Sequence, residues 1–368
     1  MKSPRILALC ASLLLGPLPG MAQEAVPKVI YDTDFGTLND DGMGLIMLAQ
    51  LDAAGEIDLL GITVVSGNQW LEQGVADALR AVERLGIEDV PVLAGAVYPL
   101  VHDPRTLPQE QALFGEGYSG AWRKPRPASE ADLVAPPDGF AERVQVADQH
   151  AVDFIIEQVK ANPGEITVLA IGPATNLALA IRMAPEISGQ IKEIIWMGGA
   201  FDAMGNVTPA AEFNWWFDPE AARIVLREPI PHVIVPLDVT NKVAMELEQY
   251  RAITEVEAPT PITELWKTMY GERFAGPNPR RDIWDTIAVG YLADPDIVTD
   301  MRRFYVDVDT IFGPNYGRAL GYAPSRDAPD TPPIPALQPA DVIYGIDAPR
   351  FWDRFVDLMT RPVPVARP

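Results

Sequence analysis

The chain alternates short apolar runs with helical patterns, and this alternation limits the possible folds more than any other feature. IDLLGITVV (57–65) and EITVLAIG (165–172) are apolar at nearly every position, whereas WLEQGVADALRAVERLG (70–86) has apolar residues at helical spacing. Strands that are apolar throughout are buried on both faces, as in a parallel sheet between two layers of helices. The sequence therefore predicts a single-domain α/β fold with a doubly wound, mostly parallel sheet.

The alternation continues through the rest of the chain. Further strands are predicted at 27–30, 90–95, 191–199, 232–240 and 304–312, and further helices at 44–53, 146–162, 175–185, 218–228, 283–295 and 348–360. Residues 99–143 and 313–339 are rich in proline and glycine and interrupt the pattern. Loops of this length in a compact domain are usually functional. We expect one domain over residues 24–363, with these two stretches as long loops.

The N-terminal segment has the layout of a secretory signal peptide. Lys2 and Arg5 precede a short apolar run that prolines interrupt, and Gly-Met-Ala at 20–22 resembles a cleavage site. We expect residues 1–22 to be removed and the protein to be exported, either to the periplasm or out of the cell. Removal would also take away Cys10, the only cysteine, so stability must come from a packed core or a bound metal.

The net charge narrows the choice of partners. At pH 7 the formal charge is −22, and an acidic chain repels both nucleic acids and anionic lipid surfaces. We therefore expect no nucleic-acid partner and, once the signal peptide is cleaved, no membrane partner.

Four aspartates lie close together in YDTDFGTLNDDGMGL (31–45), between the first predicted strand and the first predicted helix. Ligands of doubly wound sheets bind beyond the carboxyl ends of the strands. Crowded carboxylates repel one another, and a hard cation such as Ca²⁺, which binds several oxygen ligands, would offset that repulsion. Aspartates also cap helix N-termini, which explains one or two of the four. The pattern favours a metal or catalytic site.

Several motifs together resemble the inosine–uridine-preferring nucleoside hydrolase family. The Asp-x-Asp-x-Gly segment with its Asp pair resembles the opening motif of that family, and the later matches follow in family order. These matches are GITVVSGNQ (61–69), VPVLAG (90–95), IGPATNLALA (171–180), MGGAFDAMGNVTPAAEFNWWFDPEAA (197–222) and WDTIAVGYLADPDIV (284–298). The resemblance implies the Rossmann-like nucleoside hydrolase fold and covers most of the chain.

Two positions depart from the commoner family pattern. Three residues (37–39) separate Gly36 from the Asp pair, where one is usual, and this resembles a branch of the family with the longer spacing. Some members carry a histidine as the acid for the leaving group, and the matching position here is Trp284. This resembles purine-preferring members, which stack the base on a tryptophan.

The resemblance, applied residue by residue, implies a metal site and a nucleoside site. Asp34 would bind Ca²⁺ and act as the general base on a metal-bound water. The other metal ligands would be Asp41, Asp285 and the main-chain carbonyl of Ile171. The substrate would contact Asp40, Asn68, Met197, Asn206, Glu212 and Asn214 through its ribose and Trp284 through its base. Asp32 would be structural.

The implied activity is Ca²⁺-dependent hydrolysis of the N-glycosidic bond of ribonucleosides, with a lean toward purines, by a homodimer or homotetramer. Positive charge develops on the sugar in such reactions, so nearby carboxylates stabilise the transition state. A site built to bond the ribose hydroxyls should reject deoxyribosides. An indole face stacks on a purine.

Several of these residues also have a structural interpretation. Glu212 and Asn214 could satisfy buried main-chain groups, Asp285 could cap a helix, and Trp284 could belong to the core. Arg280-Arg281 is interpreted as a surface pair near the mouth of the site. Three further aromatic residues are either loop anchors or contacts to the base: Tyr98, Trp122 and Tyr270.

Two other classes of protein stay open. A phosphohydrolase of the haloacid dehalogenase type would use Asp32 as nucleophile and Asp34 as acid, with Mg²⁺, but its later motifs match only loosely. A periplasmic protein that binds nucleosides without cleaving them would not need a general base at Asp34. Release of product from a nucleoside separates these classes.

Overall fold

The computed structural model describes residues 26–115 and 117–363, so the signal peptide expected at 1–22 lies outside the described residues. Within them, apolar segments form the strands of the sheet. The strands are β1 (Lys28–Thr33), β2 (Asp58–Val64), β3 (Val92–Ala94), β4 (Ile166–Ala170), β5 (Glu193–Met197), β6 (His232–Val235), β7 (Ala244–Glu246), β8 (Arg280–Asp282), β9 (Val298–Val308), β10 (Ala319–Tyr322) and β11 (Gln338–Ile346).

Nine of these strands form one sheet in the order β10-β9-β11-β6-β5-β4-β1-β2-β3, and β7 pairs with β8 separately. The strands from β3 to β11 in this order pair in parallel, and β9 and β10 add an antiparallel edge. The chain leaves β1 toward β2 and later returns to β4 on the other side. Ligands bind at such a switch point in doubly wound folds.

Helices connect the strands and cover the sheet. They are α1 (Asp40–Ala53), α2 (Leu71–Leu85), α3 (Leu107–Phe114), α4 (Ala151–Ala161), α5 (Thr175–Met183), α6 (Phe213–Phe217), α7 (Pro219–Leu226), α8 (Leu237–Thr240), α9 (Leu247–Thr254), α10 (Pro261–Ala275), α11 (Trp284–Ala293) and α12 (Ala348–Thr360). None of the helices in the described ranges is long and apolar enough to cross a membrane.

The core has two layers because side chains alternate across each strand. Val29 and Tyr31 of β1 belong to the buried apolar cluster formed with α1, α2, α11 and α12. Ile30 belongs to a second cluster, formed with α4, α5 and α7. The single-domain α/β prediction with a doubly wound, mostly parallel sheet is confirmed.

Several element boundaries differ from the predictions. The strand predicted at 232–240 ends at Val235, because Pro236 has no N–H to continue the ladder, and α8 follows. The loop predicted at 313–339 contains the four-residue edge strand β10 and the start of β11. The 99–143 stretch keeps its loop character apart from α3 and short 3₁₀ turns.

Candidate active site

Three carboxylates meet beyond the carboxyl ends of β1 and β4. The side chain of Asn39 caps α1 by accepting a hydrogen bond from Gly42 N, so Asp40 and Asp41 occupy the first helical turn. Asp285 lies in the first turn of α11, which packs against α1. Asp40, Asp41 and Asp285 are buried, and each offers a carboxylate oxygen within 4.8 Å of the others.

Asp34 lies next to this group, directly after β1. One carboxylate oxygen, Oδ2, accepts a hydrogen bond of 2.5 Å from Asn68 N, while Oδ1 is buried without a hydrogen-bond partner. A Cβ at Gly67 would lie 2.1 Å from Asp34 Oδ2, so only glycine allows this approach. The backbone after β2 is therefore shaped around the Asp34 carboxylate.

Burial and mutual repulsion raise the pKa of the clustered carboxyl groups. Burial, followed by the charge of Asp41, raises the pKa of Asp34 well above its usual range. Burial and the neighbouring aspartates do the same for Asp285. Burial and then Asp40 raise the pKa of Asp41 to about 7. A cation among these oxygens would favour their ionised forms.

The donors fit a hard metal ion. They are all oxygen atoms, with three carboxylates close together and the unpartnered Oδ1 of Asp34 beside them. This set suits a cation that prefers oxygen ligands over one that prefers sulfur or imidazole. The close group contains Asp40, which the sequence assigned to the ribose, and does not contain Asp34. The metal role of Asp34 stays a prediction.

The three-residue spacing before the Asp pair has a visible consequence. Leu38 is fully buried, and its carbonyl accepts a hydrogen bond of 2.5 Å from the hydroxyl of Tyr270. The amide of Asn39 donates to Asp41 Oδ2 at 2.6 Å, and Thr33 Oγ1 donates to Asp41 Oδ1 at 2.5 Å. The longer loop is thus anchored in the core and holds one of the clustered carboxylates in place.

A cavity of about 290 Å³ opens onto the carboxylate group. Every predicted site residue except Asp34 and Asp41 lines it, and four residues without a predicted role line it too. The lining residues are Asn39, Asp40, Asn68, Tyr118, Ile171, Met197, Asn206, Glu212, Phe213, Asn214, Arg281, Trp284 and Asp285. The tertiary structure therefore gathers residues that are far apart in the sequence at one cavity.

Glu212 and Asn214, which follow β5, line the cavity and also bond buried main-chain groups. The Glu212 carboxylate accepts hydrogen bonds from the main-chain N–H groups of Gly199, Asn214 and Trp215. Even so, burial raises the pKa of Glu212 to about 7. The amide of Asn214 donates to the carbonyls of Ile171 (2.8 Å) and Met197 (3.1 Å). Both predicted roles, satisfaction of buried groups and contact with a ligand, are compatible with this geometry.

Trp284 and Arg281 form the opposite wall. Trp284 is half-buried, and its Nε1 donates to Asn241 Oδ1 at 3.0 Å, which fixes the orientation of the indole. The interpretation of Arg280-Arg281 as a surface pair is wrong for Arg281, which lines the cavity, and right for Arg280, which is exposed. Asp285 does not cap α11, because the residue before that helix is Ile283.

Tyr118 lines the cavity from the 99–143 segment, and nothing in the local sequence indicated it. Its hydroxyl donates to Asn68 Oδ1 at 2.8 Å, and Arg123 lies over its ring. The aromatic residues for which the sequence left two roles open do not line this cavity: Tyr98, Trp122 and Tyr270. Trp122 packs on the aromatic cluster around His102, and the Tyr270 hydroxyl anchors Leu38.

Asp32 has the structural position expected for it. Its Oδ1 accepts hydrogen bonds from Thr63 (2.6 Å) and Asn176 (2.8 Å), and the side chain does not line the cavity. The amide oxygen of Asn176 in turn accepts from Ala96 N. Asp32 therefore ties β1 to β2 and to the first turn of α5 below the site.

Comparisons with known proteins show the family to which the chain belongs. The family model described as inosine-uridine preferring nucleoside hydrolase matches residues 29–353. A pyrimidine-specific ribonucleoside hydrolase, RihB, from Escherichia coli O17:K52:H18 (strain UMN026 / ExPEC) is 35% identical over 299 residues, which are 80% of this chain and 86% of its own length. The corresponding protein of Escherichia fergusonii is 36% identical over 302 residues, with the same coverage.

Solved structures of nucleoside hydrolases also match this chain. A plant nucleoside hydrolase, the PpNRh1 enzyme, matches with a TM-score of 0.72 and 26% identity, covering 92% of this chain and 100% of its own. A purine-preferring ribonucleoside hydrolase from Gardnerella vaginalis matches with a TM-score of 0.71 and 29% identity, covering 90% and 98%. Because the family model and these relatives span most of the chain, this protein belongs to the inosine–uridine-preferring nucleoside hydrolase family and is an N-glycosyl hydrolase of nucleosides.

Proposed function

We propose that the chain is an exported, Ca²⁺-dependent hydrolase that prefers purine ribonucleosides and works as a homodimer or homotetramer. The observation that carries the purine preference is the orientation of Trp284, whose indole lines the cavity and is held by Asn241. A flat purine has a larger stacking surface than a pyrimidine, so a fixed indole favours it. Export rests on the signal-peptide pattern of residues 1–22.

In the proposed reaction the base leaves, the C1′–N bond breaks, and the sugar develops positive charge. Carboxylates near the ring stabilise that charge, and they act strongly because Asp40, Asp41 and Asp285 are themselves buried. Asp34 would take the proton of the attacking water through Oδ1, the oxygen that has no other partner. Ca²⁺ bound by Asp34, Asp41, Asp285 and the Ile171 carbonyl would orient the sugar hydroxyls and make the attacking water more acidic.

The ribose would lie between two walls. Asn206, Glu212 and Asn214 after β5 would face one side of the sugar, Asp40 and Asn68 the other, and Met197 would pack below it. Because these polar groups are buried or half-buried, a sugar without its 2′-hydroxyl would leave some of them unpaired. Discrimination against 2′-deoxyribosides follows from this arrangement.

A second candidate is a preference for pyrimidine ribonucleosides. It is favoured by the 35% and 36% identity to enzymes described as pyrimidine-specific, which exceeds the 29% identity to the purine-preferring one. Overall identity reflects the whole chain, whereas the base is read by a few side chains such as Trp284. The residues that line the cavity therefore favour a purine more strongly than overall identity favours a pyrimidine.

The test is ribose release from inosine, adenosine, guanosine, uridine, cytidine and 2′-deoxyinosine by the mature protein, with Ca²⁺ and with chelator. We expect Ca²⁺-dependent release from purine ribosides and little from 2′-deoxyinosine. Equal or faster release from uridine would overturn the purine preference and leave the chemistry intact. Full activity in chelator would overturn the metal proposal.

A further inference from the structure

Arg281 lines the cavity, and the proposed reaction gives it no role. Of the residues described as lining this cavity, it is the one with a cationic side chain, against the carboxylates of Asp40, Glu212 and Asp285. Its side chain is 26% exposed, and its Nε is buried without a hydrogen-bond partner. A buried guanidinium N–H without a partner is costly unless a ligand satisfies it.

The local structure holds the guanidinium at the Trp284 wall. Arg281 lies in the middle of β8, paired with Met245 of β7, three residues before Trp284. Its guanidinium carbon is 5.5 Å from the ring centre of Tyr270, and its Nη2 is 3.9 Å from Asp40 Oδ1. That distance is too long for a hydrogen bond, so Asp40 leaves the donors of Arg281 available to a ligand.

A departing base needs such a donor. When the C1′–N bond breaks, the electron pair leaves with the base, while water forms the new C1′–O bond and its proton passes to Asp34. Some family members would protonate the base with a histidine, but Trp284 stands at that position and has no proton of suitable acidity to give. The base must leave with negative charge and take its proton from solvent.

We propose that Arg281 is a further catalytic residue, whose guanidinium donates hydrogen bonds to the ring nitrogen or oxygen of the departing base. An arginine stays protonated, so it stabilises the developing negative charge and transfers no proton. Charge-assisted hydrogen bonds in a shielded site are strong, and they act when the charge appears. This inference rests on the proposed function of the same cavity.

The competing explanation is that Arg281 only balances the charge of Asp40. The two explanations differ in how they depend on the leaving group. A group that stabilises the departing base matters for a poor leaving group such as a purine and hardly for a good one such as 4-nitrophenolate. A residue that acts through Asp40 affects the sugar and therefore affects both substrates equally.

The experiment compares kcat/KM for inosine and for 4-nitrophenyl β-D-ribofuranoside in the wild type, Arg281→Gln and Arg281→Lys. We expect Arg281→Gln to lose on the order of 100-fold with inosine and less than about 5-fold with the nitrophenyl riboside, as for removal of a charge-stabilising donor. Arg281→Lys should fall in between, because it keeps the charge without the planar donor pair. Arg280→Gln, in the exposed neighbour, is the control and should change both rates little.

Added guanidinium ion gives a second readout. In Arg281→Ala it should partly restore the rate with inosine and leave the rate with the nitrophenyl riboside unchanged. Equal losses with both substrates, in variants whose thermal unfolding matches the wild type, would overturn the inference in favour of charge balance at Asp40. A wild type that cleaves neither substrate would overturn the proposed function and this inference together.

Discussion

The molecule buries two groups of charged side chains that are built in opposite ways. At the switch point of the sheet, Asp40, Asp41 and Asp285 are gathered within 4.8 Å, and the Oδ1 of neighbouring Asp34 has no partner. Within the 99–143 segment, His102 and Glu110 are also buried, but they pair with each other at 2.8 Å. The first group brings carboxylates next to one another, whereas in the second group each side chain has a partner.

The His102 pair is satisfied on every side that the hydrogen bonds show. His102 Nδ1 lies 3.1 Å from the carbonyl of Trp216, which can only accept, so this nitrogen donates. Burial would raise the pKa of Glu110, but hydrogen bonds from His102 and Thr106 outweigh it and lower that pKa. The other ring nitrogen, Nε2, lies 2.8 Å from Glu110 Oε1, so both nitrogens of the ring have a partner.

Aromatic rings enclose the imidazole of His102. The rings of Trp122, Trp216 and Tyr316 meet the imidazole edge-on, with centres at 4.7, 4.8 and 5.0 Å. A buried ionisable pair whose members contact each other holds a loop against the body of the protein, whereas several buried carboxylates gathered together mark a place for a ligand.

The largest expected effect is on catalysis. Asp34→Asn keeps the size of the side chain and removes the base, so kcat for inosine should fall on the order of 1000-fold. The same change removes a charge next to Asp41, so the Tm measured in chelator should not decrease. A variant that keeps its activity would disprove the assigned role of Asp34.

The next effect concerns the metal. Saturating Ca²⁺ should raise the Tm of the wild type by about 4 °C relative to chelator, because a ligand that binds only the folded state stabilises it. Asp285→Asn should lose most of this rise, and His102→Phe should keep it. Thermal unfolding with and without chelator measures all three, and an equal rise in Asp285→Asn would place the ion elsewhere.

Breaking the His102–Glu110 pair should lower the stability of the fold and leave catalysis unchanged. His102→Phe leaves the buried Glu110 carboxylate without the imidazole that it pairs with, and we expect it to lower the free energy of unfolding by about 3 kcal/mol. Glu110→Gln keeps an acceptor for the imidazole and should cost less. Denaturant unfolding gives these values, and kcat of the folded variants should stay close to that of the wild type.

The smallest effect concerns a buried neutral histidine. Burial lowers the pKa of His232 to about 4, and its Nδ1 accepts a hydrogen bond from Trp196 Nε1. As the pH falls, the unfolded chain binds a proton that the folded chain does not, so stability decreases toward pH 4. His232→Gln keeps an acceptor for Trp196, and between pH 7 and 5 it should lose about 2 kcal/mol less than the wild type. Equal acid sensitivity of the two proteins would contradict this.

The local pattern of apolar residues was enough to predict most of the parallel sheet and its helices. The helix predicted at 348–360 has the observed bounds, because its apolar positions repeat at helical spacing and Asp347 caps it. Prediction failed where the signal is weak: β10 is a four-residue edge strand containing Gly321, and α10 has no clear apolar face in its sequence. In both, packing against neighbours rather than local preference sets the structure.

The sequence by itself determined the chemistry available at the site. The family motifs name the acidic residues and the polar residues after β5, because oxygen ligands and amides at those positions are properties of the side chains alone. Arg281 and Tyr118 carried no such signal, since each belongs to a segment whose path depends on distant contacts. Tyr118 reaches the site through its hydrogen bond to Asn68, and Arg281 through the pairing of β8 with β7.

Only the tertiary structure decided which residues surround each carboxylate. Asp32 and Asp34 are two residues apart and equally acidic in sequence, and each keeps one buried oxygen without a partner. The other oxygen of Asp32 is held by Thr63 and Asn176, whereas Asp34 lies beside Asp41, whose charge raises the pKa of Asp34. Whether a buried carboxylate finds partners depends on residues brought to it from other strands. The sequence therefore listed the ionisable groups, and the packing of the sheet separated the structural ones from those that can act on a substrate.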